Sequence, residues 1–113
     1  MRIWNLTPHT MHYDDGIVQR EFLSDGVVRL EQSDESAELV GGLKTATMKY
    51  AGLNGLPELI ETGDVILVST LVGDHWKSAD RPAGVIVLVP DTGSTCQRDI
   101  QGRIVSVARF IRK

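Results

Sequence analysis

The segment 84-GVIVLVP-90 is the longest apolar run in the chain, and it decides the fold. Four of its five central residues, 85–89, are β-branched, and such side chains favour extended backbone. A strand in which apolar and polar residues do not alternate is covered on both faces, so this segment is predicted to lie at the centre of a sheet. It is one strand long, far below the roughly 20 residues that cross a bilayer, and no membrane association is predicted.

Shorter strands are predicted on both sides of this central segment. Apolar and β-branched runs alternate with turn residues, and the glycines of 14-DDG-16 and 24-SDG-26 are typical of tight turns. After residue 68 the spacing of the apolar residues changes from that of a strand to that of a helix, and Ser69 is predicted to cap this short helix. The pattern predicts a mainly β fold, a compact antiparallel sheet or small barrel with one short helix, with an α+β arrangement as the alternative. The predicted strands cover residues 3–6, 10–13, 17–23, 27–31, 43–50, 64–68, 85–89, 95–98 and 103–111.

Length and composition favour a single domain over residues 1–113. With 113 residues, of which 42% are hydrophobic, the chain is large enough for one core and too small for two. The first residues reach Pro8 before an apolar signal segment could form, so no secretory signal is predicted. The single cysteine, Cys96, cannot form an internal disulfide and is ordinary in a reducing compartment. We therefore expect a cytoplasmic protein.

Charge is unevenly distributed along the chain, whose net charge is −3. Residues 94–113 carry five cationic side chains and one acidic one, whereas residues 14–38 carry eight acidic and two cationic ones. Duplex nucleic acid requires a broad basic face, so an acidic body argues against it, but a local basic site could still hold a small anion. The acidic segment is predicted to be a solvated rim, because its spacing matches no calcium-binding loop, and no metal site is predicted.

The string 89-VPDTGS-94 contains the Asp-Thr-Gly-Ser sequence that aspartic proteases use for a catalytic carboxylate. That chemistry needs two such carboxylates sharing one proton. Only 22 residues follow Asp91, too few for the remaining parts of such an enzyme, and Pro90 interrupts regular strand pairing. The string is therefore predicted to be a strand-ending loop, and a hydrolase built on Asp91 is the least favoured alternative.

The same loop could instead help to bind an anion. The hydroxyls of Thr92 and Ser94, together with close main-chain amides, are typical of anion-binding loops. Guanidinium groups bind phosphate through paired N–H donors, and several arginines follow this loop in the sequence. The alternative for each of these arginines is an ion pair with the acidic rim. Trp76 could add a surface on which a base stacks, although packing in a core or between subunits is the favoured interpretation. The predicted phosphate partners are Arg98, Arg103, Arg109 and Arg112.

Two of these arginines are expected to share one face of the last strand, residues 103–111. Alternation points Arg103 and Arg109 to one side, while Phe110 and Arg112 point to the other. The strand could line a pocket, or it could form the edge along which two subunits pair.

Several short motifs resemble small proteins encoded by phages and prophages. They are 5-NLTPH-9, 55-GLP-57, 65-VILVSTLV-72 and a tail with Pro90-Asp91, Arg98-Asp99 and Gly102-Arg103-Ile104. The chain is also similar to phage proteins that capture nucleotide immune signals, such as the Thoeris anti-defence sponges. That resemblance implies a homo-oligomer that encloses a cyclic nucleotide or a cyclic ADP-ribose derivative without cleaving it, in the cytoplasm of the host cell.

The sequence contains no complete catalytic constellation, and we expect a binding protein rather than an enzyme. The leading hypothesis is a phage-type protein that sequesters a phosphorylated small molecule in a pocket formed by a homo-oligomer, without a cofactor. The second hypothesis, from a different class, is a phage accessory or structural protein that acts through contacts with other proteins.

Overall fold

The structure is a computed structural model that describes residues 1–36 and 39–113. Within these ranges, residues 32–36, 47–49 and 51 are described by their backbone alone. The described chain forms ten β-strands, one α-helix and one 3-10 turn. The mainly β class with one short helix is thereby confirmed. The elements are β1 (Ile3–Asn5), β2 (Met11–Asp14), β3 (Gln19–Phe22), β4 (Arg29–Ser36), β5 (Ala46–Asn54), β6 (Val65–Leu67), α1 (Thr70–His75), the 3-10 turn (Ser78–Asp80), β7 (Ile86–Pro90), β8 (Gln97–Arg98), β9 (Ile104–Ser106) and β10 (Phe110–Arg112).

The central sheet has the strand order β1-β6-β7-β10, and β7 lies in its interior as the apolar run predicted. The expected antiparallel pairing holds for β7 with β10 and for the three hairpins β2–β3, β4–β5 and β8–β9. However, β1 pairs with β6 and β6 with β7 in parallel. A parallel pair needs a long crossover, and the segment that contains α1 provides it between β6 and β7. The central sheet is therefore mixed.

The main core lies on one face of this sheet, beneath α1. Trp4, Ile66 and Val87 come from three neighbouring strands and pack with Val72 and Trp76 at the helix, all between 0 and 5% exposed. The helix begins where the sequence predicted, because Ser69 is the N-cap and its side chain accepts a hydrogen bond from the Val72 amide at 3.4 Å. Burial of this apolar face supplies most of the driving force for folding.

A second layer covers the opposite face of the sheet. There the β2–β3 hairpin places Tyr13 against Phe110 of β10, with the two rings stacked at a centroid distance of 5.9 Å. The buried residue Val107 joins this layer through a bridge to Tyr13, and its amide donates to the carbonyl of His12 at 2.9 Å. The sheet is thus covered on both sides, and a hollow remains between it and the hairpin.

The predicted last strand, residues 103–111, is wrong as a single element. The chain pairs with β8 as β9, crosses to β2 at Val107, and only then pairs with β7 as β10. Ser106 and Val107 are both buried, which breaks the alternation from which Arg103 and Arg109 were expected to share a face. Within β10 the alternation does hold, because Phe110 lies beside Pro90 of β7 and Arg112 beside Leu88.

The conspicuous 5-NLTPH-9 motif forms a buried polar network. Asn5 is fully buried, and its Nδ2 donates to the carbonyl oxygens of His9 and Phe22 at 2.9 and 2.8 Å. Its Oδ1 accepts from the amide and the hydroxyl of Thr7 at 3.1 and 2.6 Å. The network ties the end of β1 to the end of β3. It uses both N–H donors and both acceptor positions of the Asn5 side-chain amide. These residues have a structural role in the chain.

The buried carboxylate of Asp64 is the centre of a second hydrogen-bond network. From this network we predict how the stability of the fold depends on pH. The Trp4 indole N–H and the main-chain amides of Glu61 and Arg2 donate to this carboxylate at 2.9, 3.0 and 2.9 Å, and they lower the pKa of Asp64 from 3.8 to about 2. The folded pKa lies below the unfolded one, so this stabilisation is present above about pH 4 and is lost as the pH falls towards 2. In Asp64→Asn the melting temperature should be lower at neutral pH and should fall less steeply across that window. An unchanged acid profile in the variant would show that Asp64 does not contribute as described.

The molecule is elongated, and the β4–β5 hairpin forms a two-stranded sheet separate from the central one. The radius of gyration is 16.6 Å, against about 13 Å for a compact chain of this length, and the longest dimension is 52 Å. Both strands are longer than the predicted segments 27–31 and 43–50, and β5 continues to Asn54. The predicted rim acid Glu38 lies outside the described residues. Close to this end, Leu39, Val40 and Leu43 are 65, 63 and 70% exposed.

Candidate functional site

The loop after β7 is held together by Asp91. Its carboxylate, whose residue is 9% exposed, accepts from the main-chain amide of Gly93 at 3.0 Å and forms an ion pair with Nε of Arg109. Arg109 and the Gly93 amide lower the pKa of Asp91, so the group is ionised at neutral pH. A carboxylate fixed in this way organises a turn. Among the described residues of one chain, no second carboxylate contacts Asp91 to share a proton with it.

The predicted arginines differ in what their side chains contact within one chain. Arg98 donates to the carbonyl oxygens of Thr92 and Gly102 at 3.0 and 2.9 Å, so its guanidinium holds the loop against the β8–β9 hairpin. Arg109 forms an ion pair with Asp91 of the loop, and not with the acidic segment 14–38 that the ion-pair alternative named. The side chain of Arg103 is exposed and has no partner among the described residues. Arg112, Thr92 and Ser94 are exposed as well.

Trp76 belongs to the core, as its favoured interpretation predicted. It is only 4% exposed, and the guanidinium of Arg81 lies 5.6 Å from its ring centroid. Arg81 also donates to the Trp76 carbonyl oxygen at 2.8 Å and to that of Lys113 at 2.8 Å, which ties the end of α1 to the end of β10. The indole is thus almost fully buried and leaves little surface for a base in this chain.

The hollow between the sheet and the β2–β3 hairpin is the site with the most suitable chemistry, and we name it the interlayer cleft. It has a volume of about 350 Å³, within the usual range for small-molecule sites. The strands of the central sheet form its apolar floor, and the hairpin covers it. Its lining residues are Ile3, Tyr13, Arg20, Phe22, Val65, Leu67, Leu88, Arg109 and Phe110.

Two guanidinium groups are the only charged groups that line this cleft within the described part of the chain. Arg20 is exposed and lies with its Cζ 4.8 Å from the ring centroid of Phe22. The side chain of Arg109 is 66% exposed, and its described ion pair engages Nε alone. The Tyr13 hydroxyl donates to Asp15 at 2.6 Å, which raises the pKa of Tyr13 and keeps its ring neutral. An apolar aromatic floor with two cations suits a flat anion.

The β2–β3 hairpin also borders a larger and more polar hollow, which shares Tyr13 and Arg20 with the interlayer cleft and which we name the polar groove. Its volume is about 440 Å³. Cross-strand pairing places Glu21 beside His12 and Gln97 beside Ser106. The Ser106 hydroxyl is buried and has no hydrogen-bond partner among the described residues. The lining residues are His12, Tyr13, Asp14, Gln19, Arg20, Glu21, Gln97, Val105 and Ser106.

Sequence reasoning found Arg109 but missed the other residues of the interlayer cleft. A local signal existed for Tyr13 and Arg20, because the turn 14-DDG-16 predicts a hairpin in which residues near it pair across the strands and share a face. Nothing in the spacing of Ile3, Leu67 and Leu88 indicated that they form one floor, because their proximity depends on the parallel strand order.

A metal site and a membrane-spanning helix are two further features to consider in the residues that the structure describes. In that part of the chain, no three His, Cys, Asp or Glu side chains lie close enough to hold a metal ion. No described helix has the length and apolarity that a membrane crossing requires. The chain matches no protein-family model, no curated protein and no solved structure. The resemblance to phage-encoded proteins therefore stays a prediction from sequence.

Proposed function

We propose that this chain is a non-catalytic binding protein that sequesters a phosphorylated small molecule with a flat ring, and that the interlayer cleft is its binding site. One observation carries the proposal: the cleft has an apolar, aromatic floor, and its two charged lining residues, Arg20 and Arg109, are both arginines. The resemblance narrows the ligand class to a cyclic nucleotide or a cyclic ADP-ribose-type immune signal, and it makes phage origin part of the proposal.

The chemistry of the lining residues supports binding without reaction. A base can lie against Tyr13 or Phe110, since aromatic stacking contributes about 1–3 kcal/mol per base. A phosphate can then accept from Arg20 and from the terminal nitrogens of Arg109. No carboxylate or imidazole lines the described cleft, so the ligand would meet donors and apolar surface rather than an acid and base pair.

We also propose that the protein acts as a homo-oligomer. Arg20 and Arg109 are both exposed in a single copy, and a second copy that packs near Arg20 would shield the bound ligand and slow its release. Native mass spectrometry of the purified protein tests this directly, because it reports both the subunit number and any nucleotide that is retained.

Replacing Arg20 by glutamine should weaken nucleotide binding about tenfold or more, because a hydrogen bond to a charged group contributes about 1.5–3 kcal/mol. The measurement is isothermal titration calorimetry with AMP, 3′,5′-cyclic AMP and ADP-ribose. Arg29→Gln is the matched control, since Arg29 is also an exposed strand arginine but does not line the cleft. Its affinity should stay within about twofold of wild type. Equal losses in both variants, or no binding by the wild type, would contradict the proposal.

A second candidate function rests on the end of the β4–β5 hairpin. Leu39, Val40 and Leu43 expose apolar surface there, and exposed apolar patches mark protein contacts more often than isolated apolar side chains do. The chain would then be an accessory or structural protein. A photo-cross-linking residue placed at Leu43 in the producing cell separates the two functions: a trapped foreign protein that recurs with high yield favours this one, whereas the binding function predicts at most a second copy.

A further inference from the structure

We infer that the polar groove receives the guanidinium group of Arg103 from a second copy of the chain, so that two copies exchange this side chain across a two-fold axis. The inference builds on the homo-oligomer of the proposed function and does not depend on its ligand. A two-fold interface is self-complementary, since the surface that gives a residue also receives the same residue from its partner. The surface must therefore hold both a free cation and a site that accepts it.

The site that accepts the cation is rich in hydrogen-bond acceptors. Asp14 is already engaged, because its carboxylate accepts from the Gly16 amide at 2.9 Å and from Gln19 Nε2 at 3.2 Å. Glu21 is exposed and forms no ion pair among the described residues, so its carboxylate is free to accept. The Ser106 hydroxyl beneath the groove also has no partner within the described chain, and a rotation about χ1 is enough to redirect it. A guanidinium group with five donors matches such a surface.

The free cation stands on the hairpin that borders the groove. Arg103 directly precedes β9, two positions before the lining residue Val105, and its main-chain amide donates to Asp99 Oδ1 at 2.9 Å. This hydrogen bond fixes the backbone, while the side chain is exposed and has no partner in the described structure. Arg103 differs in this from Arg98 on the same hairpin, whose guanidinium donates hydrogen bonds to two carbonyl oxygens.

Apolar side chains next to Arg103 supply surface for the same contact. Ile100 at the turn of the β8–β9 hairpin is fully exposed, and Ile104 and Val105 are 45 and 51% exposed. A hairpin that presents apolar residues around Arg103, beside a groove in which the Glu21 carboxylate is free to accept, has the composition of an interface, in which burial gives affinity and complementary charge sets the orientation. The occupant that fits both features is a second copy, because it brings the arginine and the apolar residues together.

The test is a charge swap read by sedimentation velocity without nucleotide. The wild type should sediment as a dimer at micromolar concentration, and Arg103→Glu and Glu21→Arg should each weaken the dimer at least tenfold, because each places like charges together. The double variant Arg103→Glu with Glu21→Arg should recover most of the lost affinity. Arg29→Glu serves as the control for a change of net charge, and circular dichroism confirms that each variant is folded.

Three results would overturn the inference: a wild type that stays monomeric at hundreds of micromolar, a single variant that dimerises like the wild type, or a double variant no better than the single ones. Nucleotide titrations of the same samples keep the two proposals separate. A monomer that binds AMP overturns the interface alone, and a dimer that binds no nucleotide overturns the ligand proposal alone.

Discussion

An aspartate in place of Asn5 is expected to destabilise the folded chain by about 3–5 kcal/mol, the usual consequence of an uncompensated buried charge. In the wild type, Asn5 Nδ2 donates to two carbonyl oxygens at 2.9 and 2.8 Å in a fully buried position. A carboxylate oxygen in the same place accepts but cannot donate, so it would face two carbonyl oxygens of like polarity. Urea denaturation at neutral pH measures the loss.

The pH dependence of this variant identifies the cause. Burial of one carboxylate oxygen against the carbonyl oxygens of His9 and Phe22 raises the pKa of the new carboxyl group, so the destabilisation is greatest at neutral pH and decreases as acid protonates the group. Asn54→Asp is the matched control, because Asn54 is an exposed residue at the end of β5, and the change there should be within about 0.5 kcal/mol. A variant at Asn5 that is as stable as this control would refute the structural role of the network.

Alanine at Gly55 is expected to destabilise the chain by about 3–4 kcal/mol, through the combined effects of a left-handed backbone and overpacking. Gly55 has φ +96°, and a Cβ there would lie 2.3 Å from the carbonyl oxygen of Val27. That atom belongs to the backbone next to the core residue Val28, so it cannot move aside as a flexible side chain would. The melting temperature should fall by roughly 10 °C or more.

Gly63→Ala isolates the contribution of the clash. Gly63 has nearly the same φ, +92°, but a Cβ built there meets nothing within 4 Å. Its replacement should therefore show only the cost of the left-handed backbone, about 1–2 kcal/mol. If the two variants melt at the same temperature, the close approach of Gly55 to Val27 does not contribute to stability.

The parts of the fold that the sequence predicted correctly depend on local chemistry. The central position of β7 follows from a run without polar residues, and the start of α1 follows from a serine that can cap it. The parallel order of β1, β6 and β7 depends on which distant strands meet, and no local pattern reports that. The last strand was misjudged because two consecutive buried residues, Ser106 and Val107, mark a crossing between sheets.

The candidate site was harder to predict than the fold. Arginine spacing shows where cations occur but not what they contact, and Asp91 engages Arg109 from 18 positions away while main-chain carbonyl oxygens engage Arg98. Arg20 was assigned to the acidic segment, yet its strand places it beside Phe22 and opposite Tyr13, in the interlayer cleft. The cleft is assembled from six strands, so it can be recognised only when their order is known.

The most direct test of the interlayer cleft is an NMR titration of the ¹⁵N-labelled protein with AMP, which reports the location of binding residue by residue. If AMP binds in the interlayer cleft, the amide resonances of Tyr13, Arg20 and Phe110 should show saturable chemical-shift changes. The resonances of residues 92–98, the loop and strand β8, should stay nearly unchanged. Shifts confined to that loop, or no shifts at millimolar AMP, would contradict binding in this cleft.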